Sequence, residues 1–196
     1  MFKTHDLFEW LPDQWQNTKI IYCYRNPKDV FFSYFHHIAN FNWFFHCKAV
    51  EEGDFETFFS QVFRQPHVSH YGLWEDHVCQ WLAQSLPNVL FTTFEDLVED
   101  TGREVERIAE FLGVELTSEL KERVLHEGRF ETMQQNKAVS YNWAKKDSNV
   151  EIQTPFIRHG KVGGWRGKLS EGQEQELDMA IEKVRQAGGR VRCILD

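Results

Sequence analysis

Five residues in a row, Ile20, Ile21, Tyr22, Cys23 and Tyr24, are apolar or aromatic, and the run stops at Arg25-Asn26-Pro27. A short unbroken run of this kind predicts a strand covered on both faces, as in a parallel sheet. Pro27 has no backbone N–H and a preset φ, and Asn26 before it is a good N-cap, so a helix is expected to start there. From Phe31 to Phe45 the chain carries Phe31, Phe32, Tyr34, Phe35, Ile38, Phe41, Trp43, Phe44 and Phe45, too many apolar residues for one core stripe. Part of this surplus is expected to line a pocket, with Phe31 and Tyr34 packing against neighbouring helices. Glu51 to Asp54 mark a turn, after which Phe55, Phe58, Phe59, Val62 and Phe63 recur at helical spacing up to Pro66.

Tyr71, Trp74, Val78, Cys79, Trp81 and Leu82 predict an amphipathic helix closed near Pro87. A second buried strand is expected from Val89 to Phe94, leading into Glu95-Asp96. Thr101 with Glu104 three residues on has the form of a capping box, ahead of Val105, Ile108, Phe111 and Leu112 on one face and Gly113 as terminator. Thr117 to Leu125 and Phe130 to Gln135 are shorter helical segments. Residues 141 to 154 turn polar and are expected to form a mobile loop, and Ser170 caps a last helix over Glu171 to Ala187. Strands alternating with helices predict crossover units and a parallel sheet, hence an α/β fold.

With 196 residues, the chain has room for one substantial domain. The apolar and charged fractions, 41% and 27%, are those of an ordinary globular protein. Aromatic content is high, with 17 Phe and 7 Trp, and serves a large core, an aromatic pocket, or both. A net charge of -8, from 30 acidic and 22 basic residues, argues against a general nucleic-acid binder, so any anion site must be local. No stretch approaches the roughly 18 apolar residues of a membrane span, and the first residues do not read as a signal peptide. The default expectation is a cytoplasmic protein without a membrane partner. Cys23, Cys47, Cys79 and Cys193 lack CxxC spacing, so neither a zinc site nor a disulfide framework is signalled and buried free thiols are expected.

Three segments carry candidate chemistry. Arg25 at the carboxyl end of a buried strand and Ser33 two turns along the next helix form a possible anion site, since free helix N–H groups and a guanidinium fork both favour phosphate. The same residues are equally compatible with a surface ion pair and a solvated helix. Near the start, Lys3 and His5 would share a face if the segment is extended. His5 taken alone reads first as an ordinary surface or core histidine. The stretch from Phe156 to Arg166 holds three glycines and four potential cations in eleven residues, which suits an anion cradle or a flexible turn.

Taken in order, Lys3-Thr4-His5, the Arg25-Asn26-Pro27-Lys28-Asp29 unit with Ser33 eight residues after the Arg, Phe94-Glu95-Asp96 after a strand, and Arg158-x-Gly160-x-x-Gly163-x-Trp165 resemble the PAPS-dependent sulfotransferases of the cytosolic type. The resemblance spans essentially the whole chain as one domain, residues 1 to 196. It implies a fold like that of the P-loop nucleotide kinases, a parallel sheet flanked by helices. It also implies transfer of a sulfonate group from 3′-phosphoadenylyl sulfate to a hydroxyl or amine of a small acceptor such as a phenol, alcohol or sterol, with no metal. In that resemblance His5 is the general base and Lys3 steadies the sulfonate. Arg25 and Ser33 hold the 3′-phosphate together with Arg158, His159 and Gly160. Phe130 stacks on adenine, and Phe94 stands near it where many members have Tyr.

The sequence departs from the family in three places. The family's first strand and its Lys-Ser-Gly-Thr type loop for the 5′-phosphosulfate have no counterpart, so a fragment or shortened member is expected, with a catalytically impaired chain that binds only adenosine 3′,5′-bisphosphate as the alternative. The family's dimer segment is poorly matched, with Glu171 and Gln175 where Val and Glu are usual, so a homodimer is possible but unsupported. His159 stands where a Lys often follows the loop Arg.

Overall fold

The computed structural model describes residues 3–12, 15, 17–41, 45–68, 71–139 and 155–191. The expectations placed on residues 42–44, on 141–154 and on Cys193 fall outside these. After a 3-10 turn at Phe8–Trp10 come β1 (Ile20–Tyr24), α1 (Pro27–Asn40), α2 (Lys48–Glu51) and α3 (Phe55–Phe58), which runs into a π turn at Phe59–Phe63. Then follow α4 (Trp74–Leu82), β2 (Val89–Thr93), α5 (Phe94–Glu99), α6 (Thr101–Leu112), α7 (Ser118–Glu127), α8 (Phe130–Gln135) and α9 (Glu171–Gln186).

β1 and β2 pair in parallel, from Ile20 opposite Val89 to Tyr24 opposite Thr93. A parallel pair cannot be closed by a hairpin, and the helical segment between the strands makes the crossover. β1 is not covered on both faces as its unbroken apolar run suggests: Tyr24 is buried, but Ile21 and Cys23 are exposed. An apolar run reports that a strand can be buried and not which neighbours lie over it. Here Tyr22 and Tyr24 pack with Val78, Trp74, Ile181 and Val184 of α4 and α9, while the alternate positions face away. The expected burial of Cys23 fails for the same reason, and Cys47 and Cys79 are partly buried.

The second core is built on α1. Phe31, Phe32, Phe35 and Ile38 recur at helical spacing and meet Phe58, Phe59 and Phe63 together with Leu177 of α9. Each fully buried side chain of this size contributes roughly 1.5–3 kcal/mol. Tyr34 packs on Phe58 and Phe63, ring centroids 5.8 and 6.4 Å away. Arg64, just past the π turn, holds Glu75 of α4 through two hydrogen bonds of 2.9 and 2.8 Å and Glu176 of α9 through one of 2.6 Å. Three segments distant in the sequence are thereby tied by one guanidinium.

The helix boundaries follow local chemistry. The Asn26 side chain accepts from the Lys28 N–H with Pro27 at the first helical position. Gly113 ends α6 at φ 73, a left-handed conformation that glycine enters without strain. Ser170 and Gln173 form a reciprocal capping box at the start of α9. At α6 the expected box is displaced by one residue: Asp100 is the cap, accepting from the Arg103 N–H, while the Thr101 hydroxyl donates to the Leu97 carbonyl. Glu104 is drawn inward instead, where it accepts from the Thr92 hydroxyl at 2.8 Å and from Arg107 at 2.6 Å.

Candidate active site

Arg25 leaves the carboxyl end of β1 and is the centre of one cluster. Its guanidinium lies over the Phe94 ring, 4.2 Å from the centroid, and its Nη2 donates to the Lys161 carbonyl at 2.8 Å. Asp29, one turn into α1 and buried, faces Nη2 at 3.4 Å. The same Asp29 carboxylate accepts from the Gly163 N–H at 2.8 Å. Lys28 beside it lies under Trp165, 4.4 Å from the ring centroid, and pairs with Asp178 of α9 at 2.8 Å. Two consecutive residues at the start of α1 therefore fasten the late glycine-rich loop to the strand-to-helix turn. Asn26 completes the turn, donating its N–H to buried Glu95 at 2.9 Å.

That fastening brings the late cations to Arg25. Burial first, and then the charge of Arg25, hold the Arg158 guanidinium below its usual range. Arg158, His159 and Lys168 also act on His36 of α1, whose imidazole is pushed down to about 4, with burial as the largest cause. Gly160 sits with φ 59 directly on the Phe130 ring, where any Cβ would collide. The Gln134 amide of α8 donates to the Ile157 carbonyl at 3.1 Å, so the loop is held from that side too. Ser33 is exposed on α1, one turn after Asp29 and one before His36 and His37.

A second cluster lies around His5. Its ring leans on Tyr71 at 5.4 Å between centroids, and partial burial, then Lys3, then His77 hold its imidazole below 6.5, against a smaller opposing pull from Asp6. His37 is lowered by burial and then by His5 and Lys3, so these charges face it. His36 meets the Arg158 side and His37 the His5 side, and the two clusters are joined through adjacent residues of one helix. His37, His77, Tyr22 and Asp29 were not singled out by the sequence. Asp29 lay within a quoted motif, but the Gly163 N–H that it accepts from is 134 residues away.

The groups gathered around Arg25 are of the types that suit anion recognition. Arg25 Nε is buried without a hydrogen-bond partner among the described residues. Gly160 brings backbone against an aromatic face, and basic groups at the carboxyl end of a parallel strand are where open α/β sheets bind nucleotides. Among the described residues there is no cluster of His, Cys, Asp and Glu able to hold a metal, and no helix is long and apolar enough to cross a membrane.

The parallel strand pair with flanking helices defines an α/β protein of the P-loop-like kind. Solved structures agree: a retinol dehydratase in complex with androsterone and the inactive cofactor PAP aligns at a TM-score of 0.76 and 28% identity, over 91% of this chain and 51% of that one. A mouse sulfotransferase complexed with PAP aligns at 0.69 and 27% identity, over 94% and 65%. The sulfotransferase domain model matches residues 1–189. Cytosolic sulfotransferase 1 of Danio rerio is 34% identical over 98% of this chain and 63% of its own length. Sulfotransferase 1E1 of Mus musculus is 33% identical over 90% and 58%. The chain belongs to the sulfotransferase family, and it spans about three fifths of the length of these curated relatives.

Proposed function

We propose that the chain serves sulfonate transfer from 3′-phosphoadenylyl sulfate to a hydroxyl or amine of a small acceptor. The observation that carries this reading is the gathering of Arg25, Phe94, Arg158, His159, Gly160 and Phe130 at one end of β1, with His5 and Lys3 reached through α1. When bound, the donor supplies the activated sulfonate. Arg25 and Arg158, joined by Ser33, His159 and the Gly160 backbone, hold the donor's 3′-phosphate, and Phe130 and Phe94 offer faces to the adenine. Lys3 stabilises charge on the transferring group. The neutral His5 imidazole takes the acceptor's proton as the new S–O or S–N bond forms and the bond to the leaving phosphate oxygen breaks.

The residue types suit the demand, because group transfer of this kind depends on positioning and on neutralising charge at equatorial oxygens. Each Arg–phosphate hydrogen bond contributes roughly 1.5–3 kcal/mol. PAP in the related structures supports the donor, androsterone in one of them supports a small apolar acceptor, and the cytosolic name of the Danio rerio relative supports a cytoplasmic setting.

Transfer of label from the donor to a panel of phenols and sterols tests the reading, with His5→Ala as control. His5→Ala is expected to lower the rate roughly 10²- to 10⁴-fold. Full rate in that variant removes His5 from the mechanism. Binding of adenosine 3′,5′-bisphosphate without any transfer would support instead a chain that holds the nucleotide alone.

A further inference from the structure

The segment carrying His5 has no strand or helix around residues 3–7, so its backbone is placed by side chains from elsewhere. α4 supplies them. His77, Gln80 and Trp81 stand at helical spacing on one face of α4 and bond three peptide groups of this segment. His77 Nε2 lies 3.1 Å from the His5 carbonyl, Trp81 Nε1 donates to the Asp6 carbonyl at 3.4 Å, and Gln80 Oε1 accepts from the Phe8 N–H at 3.0 Å.

His77 differs from the other two because its second ring nitrogen is also engaged. Nδ1 is 2.8 Å from the Tyr22 hydroxyl of β1, and the two rings stack at 5.8 Å and 21°. A carbonyl oxygen has no proton to give, so His77 Nε2 must be the donor to His5. In the neutral ring Nδ1 is then bare and can only accept, so Tyr22 must donate. Protonation at Nδ1 would take that acceptor from the Tyr22 hydroxyl, and the Trp81 and Phe91 rings packed on the Tyr22 ring, 4.9 and 5.6 Å between centroids, offer no strong one in its place. Every proton in the series from Tyr22 Oη through His77 to the His5 carbonyl is thereby assigned.

We propose that His77 is a positioning residue for the transfer reaction, its neutral Nε2–H tautomer set by Tyr22 and its N–H holding the His5 backbone so that the His5 ring faces the acceptor. The inference rests on the function proposed above. It adds a role to a residue of α4 that need not touch donor or acceptor, and it explains why a tyrosine stands at the middle of β1.

Two measurements on the 196-residue chain test it. In a 15N-histidine spectrum at neutral pH, His77 is expected to show a proton on Nε2, with Tyr22→Phe disturbing the His77 signals. A proton on Nδ1 overturns the proposal. In transfer assays His77→Leu, which removes the donor, is expected to lower kcat roughly tenfold or more with the affinity for adenosine 3′,5′-bisphosphate little changed, while His77→Gln, which keeps an N–H at a similar reach, restores most of it. Undiminished kcat in His77→Leu also overturns it. Should the parent chain transfer nothing, the proposed function is what fails. The His5 ring signals then decide this inference alone, upheld if they shift in His77→Leu and stay in place in His77→Gln, and overturned if they stay in place in both.

Discussion

Arg25 and His5 show how one side chain acquires a role from its surroundings. Arg25 is stacked on Phe94, hydrogen-bonded to the Lys161 carbonyl and ion-paired with Asp29, which orients its fork. A lysine could supply the charge but neither the stacking plane nor the fork. For His5 the sign of the pKa shift matters: a base must be neutral, and an imidazole held below 6.5 stays neutral further into the acid range. The acid limb of kcat/KM, followed between pH 5 and 8, is therefore expected to have its midpoint below 6.5. A midpoint above 7 would mean that another group is the base. Gly160 gives a steric prediction at the same scale. With φ 59 and Phe130 in the place of a Cβ, Gly160→Ala is expected to weaken adenosine 3′,5′-bisphosphate binding and to lower stability by about 1–3 kcal/mol, read by calorimetry and urea unfolding.

Among the elements, the first turn of α1 is the junction. Asp29 accepts from the Gly163 N–H and faces Arg25, so Asp29→Ala is expected to leave that N–H without its partner and the loop unfastened, at about 1–3 kcal/mol. Hydrogen exchange should report this as faster exchange at the Gly163 amide with the α9 amides unchanged; equal protection in variant and parent would contradict the clasp. This junction also marks the limit of what the sequence discloses. Asn26-Pro27, Gly113 and Ser170 were legible because a cap is decided within a few residues. The start of α6 was displaced by one because Thr101 and Glu104 fit a box locally, while Arg107 and Thr92 claim Glu104 in the folded chain. The site motifs could be read as four separate pieces. That Asp29 and Arg25 meet the 158–165 loop, that Phe94 lies under Arg25, and that His77 braces His5, depends on contacts across tens to more than a hundred residues, which spacing does not encode.

Across the whole molecule, the histidines make stability depend on pH. Burial depresses the imidazoles of His5, His36, His37 and His77, with His36 pushed to about 4. Between the folded values and the unfolded value of 6.5, the unfolded chain binds more protons, so stability rises with pH through this window and is lost as pH falls. Urea unfolding at pH 7 and pH 5 should show the loss. His36→Gln is expected to reduce it by about 1 kcal/mol once solvent screening of a partly exposed ring is allowed for. An unchanged difference would remove His36 from the effect.

The central claim is that the turn after β1 and the late loop grip one ligand together. Calorimetric titration of the 196-residue chain with adenosine 3′,5′-bisphosphate, repeated for Arg25→Ala, Arg158→Ala and the double variant, tests it most directly. The account predicts binding that weakens roughly ten- to a hundredfold in each single variant, with losses that do not add in the double one. No binding by the parent chain, or affinity unmoved by either substitution, would contradict it.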